Sequence, residues 1–102
     1  MNAPDTHIYV GRLDAGSHAV YAVGPATVER IEAAGDALGW GADAPHAGLI
    51  LARLLLNDAS GTEQSADVCR RFDEQVISRL PYDGFAIPRA IVNAWLRRVV
   101  TV

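Results

Sequence analysis

The sequence predicts an α+β domain, and three features of its pattern point there. Two runs near the N-terminus, His7–Leu13 and His18–Gly24, are rich in β-branched and aromatic residues and flank the turn-forming Asp14-Ala15-Gly16-Ser17. A central run, Leu49-Ile50-Leu51-Ala52-Arg53-Leu54-Leu55-Leu56, is apolar on nearly every side with one cation in its middle. Such a run is expected at the centre of the fold, shielded by the other elements. Two later segments repeat apolar residues at the spacing of a single helix face.

The first two runs read as a hairpin with a four-residue loop. Pairing Leu13 with His18 sets the register, so Ile8 faces Val23, Tyr9 faces Ala22 and Val10 faces Tyr21. Apolar groups then fall on both faces, which predicts a hairpin covered on both sides. Pro25 to Ala34 reads as a short helix, with Pro25 in its first turn, Gly35 at its exit, and Val28 and Ile31 inward. Asp36 to Ala44 reads as a loop that holds Trp40 and ends on Asp43 as a cap for the next helix. That helix starts at Pro45 and runs to about Leu56, where Asn57-Asp58-Ala59-Ser60-Gly61 supplies turn chemistry.

Thr62 or Glu63 opens a longer helix that ends at Leu80, before Pro81, with Cys69, Phe72, Val76 and Leu80 on its buried stripe. Asp67 stands one helical turn from Arg70 and Arg71 and supports the surface of that helix. Pro81-Tyr82-Asp83-Gly84 is a turn, and Phe85-Ala86-Ile87 is a candidate third strand, since the residue before Pro88 prefers extended backbone. Pro88 begins a last helix with Ile91, Val92, Trp95 and Leu96 inward and Arg89, Asn93 and Arg97 outward. The fold class is therefore an N-terminal hairpin with a short third strand, packed on three or four helices with the Leu-rich helix central. Residues 1–6 read as a flexible N-terminus and 7–102 as one domain.

A chain of 102 residues buries roughly two-thirds of its unfolded surface, enough for one core. The formal net charge of −3 gives no general attraction to nucleic acid or anionic membranes. The start, Met1 to Thr6, lacks the basic and apolar regions of a secretion signal. The longest apolar run is about half of what a membrane span needs. Both observations predict a soluble, cytoplasmic protein. Cys69 is the single cysteine, so no internal disulfide forms, and its place on an apolar stripe marks it as an inert small hydrophobe.

Reactive constellations are sparse. His7 and His18 fall at opposite ends of the hairpin, Asp43 and His46 make one pair, and no serine sits in a nucleophile elbow. No metal, cofactor or catalytic residue is expected. All nine cations are arginine, which suits bidentate recognition of carboxylate or phosphate and equally suits a GC-rich coding sequence. Trp40, between Gly39 and Gly41, reads either as a lid on the core or as an interface anchor. Tyr82 in its turn reads as an exposed aromatic. Trp40, Tyr82, Arg89, Arg97 and Arg98 are the candidate interaction residues.

The ordered pattern Tyr9-x-Gly11-Arg12, Val20-Tyr21, Trp40-Gly41, Pro45, Leu49 to Leu55, Asp58, Phe72, Val76-Ile77-x-x-Leu80-Pro81, Phe85-x-Ile87 and Trp95-Leu96 resembles a family of small bacterial and phage proteins known only as a domain of unknown function. The resemblance spans most of the chain, and its motifs are short and core-forming. It brings no catalytic residue. It implies an accessory or inhibitory role on a mobile element. The family is glycine-rich between its Trp-Gly and its Pro, where this chain has Ala42-Asp43-Ala44, a departure that counts against a ligand-approaching loop here.

The function expected from these residues is a non-catalytic accessory or inhibitor protein acting by protein–protein contact. The alternatives are an Arg-mediated nucleic-acid binder and a small ligand-binding or enzymatic domain using the Trp40 loop and His46. A homodimer closed by the apolar faces of the hairpin and the last helix is a further expectation.

Overall fold

In a computed structural model of the chain, residues 6–32, 38–41 and 45–100 are described. They form an antiparallel sheet of four strands with three α-helices. The strands are β1 (Ile8–Asp14), β2 (Ser17–Val23), β3 (Val28–Ile31) and β4 (Gly84–Pro88), in the order β3-β2-β1-β4. The helices are α1 (Pro45–Ser60), α2 (Ala66–Gln75) and α3 (Arg89–Val100), with a 3₁₀ turn over Ile77–Arg79. No helix among the described residues is long and apolar enough to cross a membrane.

The hairpin adopts the register read from the sequence, with Leu13 opposite His18 and Ile8 opposite Val23. The loop is tighter than expected, because Asp14 and Ser17 also pair and only Ala15 and Gly16 turn the chain. Both have positive φ, 51° and 82°, as the twist-matched two-residue hairpin turn requires. The expected third strand exists as β4, which pairs with β1 so that Phe85 lies opposite Gly11 and Ile87 opposite Tyr9.

In place of the helix expected over 25–34, the described residues 25–31 form a turn and an edge strand. The Gly24 amide donates to the Thr27 carbonyl at 2.8 Å, reversing the chain. Residues Val28 to Ile31 then pair with β2. Weak helical propensity loses here to the open row of backbone donors and acceptors along β2. Val28 and Ile31, assigned to one helical face, fall on opposite faces of the strand, and Val28 is 66% exposed. The expected exit at Gly35 lies outside the described residues, as do the Asp43 cap and residues 1–5 of the flexible start.

Helix α1 runs one turn past Leu56. Its stop is Gly61, which has a φ of 75° and whose N–H donates a hydrogen bond to the Asn57 carbonyl at 2.9 Å, closing the helix end. Helix α2 is shorter than expected. Ser65 is its N-cap, accepting from the Val68 amide at 3.2 Å, and the α-helical course breaks at Val76. The break brings Ile77 into the core as a fully buried residue, one position off the expected stripe.

The core lies between one face of the sheet and the helices. Tyr9, Val20 and Ala22 meet Leu51, Ala52, Leu55 and Leu56 of α1, Cys69 and Phe72 of α2, and Val92, Trp95 and Leu96 of α3. The other face carries Ile8, Val10, Tyr21, Val23 and Val28, all partly or well exposed, so the described helices cover one face of the hairpin and not two. Helix α1 is likewise buried on one side only. Leu49 is 38% exposed, Ile50 and Leu54 are half-buried, and Arg53 faces water. An apolar circumference does not specify a shielded helix, because periodicity says nothing once every position is apolar.

Candidate functional site

Three side-chain groups dominate the chemistry of the molecule, and the first gathers around Trp40. Its indole is 1% exposed, donates from Nε1 to the Pro81 carbonyl at 2.8 Å, and meets the Phe85 ring edge-on at 4.8 Å. The His18 ring stacks on it at 3.7 Å and 13°. His18 Nε2 donates to the Tyr82 carbonyl at 3.0 Å. Trp40 is thus a lid on the core and does not offer itself as a surface anchor. Tyr82 is the outermost member, 65% exposed, with its ring tilted on His18 at 4.8 Å. The stack ties the end of the hairpin to the Pro81–Gly84 turn through segments far apart in sequence.

The second group is internal. The Tyr9 hydroxyl donates to Asp58 Oδ2 at 2.5 Å, and Arg89 Nη2 lies 3.9 Å from the same oxygen. The Arg89 amide donates to the His7 carbonyl at 2.9 Å. Burial, then the bond to Asp58, pushes the Tyr9 hydroxyl well above its ordinary pKa. Arg89 and Asn93, both expected to point outward, turn toward α1, where Asn93 Nδ2 donates to the Ala59 carbonyl at 3.0 Å. Arg89 therefore joins β1, α1 and α3 and presents little surface to a partner.

The third group lies along α3. Ile91, Ala94, Trp95 and Arg98 line a groove of about 450 Å³ with Phe72, Val76, Ile87 and Val92. Trp95 is fixed there by a bond from Nε1 to Gln75 Oε1 at 3.0 Å and an edge contact with Phe72 at 4.9 Å. Ile91, expected in the core, is 59% exposed and forms the lip. The sequence signal for this was the breadth of the apolar arc Ile91, Val92, Trp95, Leu96 and Val99, wider than one contact face absorbs. Arg97 lines a different, shallower groove with Ala59, Ser60 and Asn93. Arg97 and Arg98 are thus exposed on two sides of one helix.

His46 lines a groove between α1 and α2 with Arg53, Glu63 and Cys69, and Trp40 is not among the described residues that line it. Cys69 is buried, and desolvation pushes its thiol above the ordinary value, which suppresses the nucleophilic thiolate. Among the described residues no three His, Cys, Asp or Glu side chains converge on a point that could hold a metal ion. The Asp43–His46 pair lies partly outside them. Comparison of the chain with family models, curated proteins and solved structures finds no match.

Proposed function

We propose that the protein is a non-catalytic binding module that grips a partner protein in the groove between α2 and α3. The observation that carries this reading is the exposed Ile91 beside an apolar groove in which Arg98 is the single charged residue. A wall of Phe72, Val76, Ile91 and Trp95 suits the apolar face of an amphipathic helix. Arg98 at its edge suits a carboxylate on that helix. Tryptophan and arginine are the residue types that dominate binding energy at such contacts. If the resemblance to mobile-element proteins holds, binding occurs on a host protein and its consequence is inhibition.

The arginines favour nucleic acid less. Arg30, Arg70, Arg71 and Arg89 each pair with a carboxylate of this chain, which lowers the cationic potential a phosphate backbone would feel.

The test is a displayed library of helical peptides selected on the wild-type chain. Acidic amphipathic helices should be recovered, and Ile91→Glu should weaken them by about a hundredfold, as expected for a charge placed in a desolvated contact. Recovered peptides that bind Ile91→Glu and Arg98→Glu as well as wild type would remove this surface from consideration. Sedimentation equilibrium separates the reading from self-association, since a dimer closed across the same groove would dissociate in Ile91→Glu.

A further inference from the structure

The outer side of the Leu-rich helix is open, and it forms one wall of a second groove. Helices α1 and α2 make an antiparallel hairpin, since a Cβ at Gly48 early in α1 would lie 2.6 Å from Asp73 Oδ1 late in α2. Their outer faces enclose about 410 Å³, with Leu49, Ile50, Ala66 and Cys69 supplying apolar surface. Clefts that take small molecules run from roughly 300 to 1,000 Å³. Arg53 and Glu63 stand toward the end where the two helices are joined, and His46 toward the other.

Two opposite charges in one groove would be expected to pair, yet Arg53 and Glu63 form no ion pair with each other or with any other described residue. Both line the groove together with the Cys69 side chain. Gln64, the remaining polar residue at that end, is already engaged through its side-chain amide with Ser60 and Thr62. The groove therefore offers one cation and one anion at its head and an aliphatic floor beyond them.

We propose that this groove binds a small apolar zwitterion, an α-amino acid with an aliphatic or aromatic side chain. Arg53 takes its carboxylate, Glu63 its ammonium group, and Leu49, Ile50, Ala66 and Cys69 its side chain. A simple apolar anion would leave Glu63 facing it with like charge, and a simple amine would face Arg53 in the same way. The zwitterion is the class that satisfies both. The site shares no lining residue with the α2–α3 groove, so it stands or falls apart from the protein-binding reading.

The experiment is a titration of the full chain with L-leucine, 4-methylpentanoate and 3-methylbutylamine, followed by amide chemical shifts and calorimetry. The last two probes are leucine without its ammonium and without its carboxylate. Leucine should move amides in the first half of α1 and around residues 63–69, with a dissociation constant on the order of 0.1–1 mM for a ligand of this size. Each one-charge probe should bind about tenfold or more weakly, the loss of one charge-assisted contact. Arg53→Met should weaken leucine and spare the amine, and Glu63→Gln should weaken leucine and spare the acid. Both side chains are exposed, and unchanged thermal midpoints would show that the fold is intact. Amides that stay still at about 10 mM leucine, one-charge probes that match leucine, or an Arg53→Met variant that binds leucine normally would each overturn the proposal.

Discussion

Gly11→Ala is the substitution for which the structure sets two effects of opposite sign against each other. Gly11 sits in β1 directly opposite Phe85 of β4, and the Phe85 ring occupies the space a side chain at position 11 would need. A Cβ at position 11 would come within 2.1 Å of Phe85 Cε2 and 2.4 Å of Cδ2. Alanine loses less backbone freedom on folding, a gain of about 0.4–1 kcal/mol. Overpacking costs about 1–3 kcal/mol. The ring cannot swing aside cheaply, because it also meets the buried indole of Trp40 edge-on at 4.8 Å. The clash should win, with a net loss near ~1–2 kcal/mol and a fall in thermal midpoint of roughly 4–8 °C for each kcal/mol. The decisive assay is a double-mutant cycle with Phe85→Ala, read by urea unfolding. With the ring gone, Gly11→Ala should become neutral or stabilising, so the two changes should be non-additive by ~1–2 kcal/mol. Additive effects, or a stabilised Gly11→Ala single variant, would refute the claim that Phe85 and Trp40 are packed rigidly over this strand.

Three further outcomes follow from local geometry. Ala15→Asn should stabilise the hairpin by about 0.5–1 kcal/mol in urea titrations, because φ of 51° strains alanine and Asn-Gly is the preferred pair for this turn. Tyr9→Phe should cost about 1–2 kcal/mol in the same measurement, since it removes a buried hydroxyl bonded to the Asp58 carboxylate. Asp73 lies against Gly48 with its pKa raised by burial and, less, by Glu74. A carboxyl whose folded pKa is raised holds its proton more tightly when folded, so stability falls as pH climbs from the ordinary carboxylate value through the raised one. Asp73→Asn should therefore be more stable than wild type at neutral pH, with the difference closing in acid; a pH-independent difference would place its origin in packing.

The hairpin register, the Pro45 start of α1 and the strand before Pro88 were legible because each is written locally. Alternation and a turn fix the first, and the backbone limits of proline fix the other two. The strand Val28–Ile31 was not legible, because its conformation is imposed by the free edge of β2 and its own residues favour neither state strongly. Gly11 and Phe85 stood in the sequence as separate short motifs, and only the β1–β4 pairing shows that the glycine leaves room for the ring. Arg89 read as a surface cation because the helical wheel put it outward, while the Asp58 that draws it inward lies on another helix. The exposure of Leu49 was invisible for a related reason: apolar spacing reports which residues avoid water, and only tertiary structure reports how many of them succeed.

That shortfall bears on how the two grooves are weighed. A domain of this size, half of it apolar, leaves apolar surface outside as a matter of geometry, so an exposed isoleucine is not by itself a binding site. The open face of the sheet shows the ordinary case: Ile8, Val10 and Val23 share it with Arg30, whose charge Glu32 already meets at 3.3 Å. The two grooves differ in kind. Each is concave, and each holds charges that no other described residue meets with an ion pair, Arg98 in one and Arg53 with Glu63 in the other. An unmet charge beside apolar surface costs little in water and becomes specific when a ligand excludes that water. The comparison has a consequence for mutagenesis: Ile91→Glu should weaken peptide binding about a hundredfold and leave leucine binding intact, and Arg53→Met should weaken leucine and leave the peptide bound. Cross-effects of either change would mean that the two surfaces communicate through α2, whose Cys69 lines one and whose Phe72 lines the other.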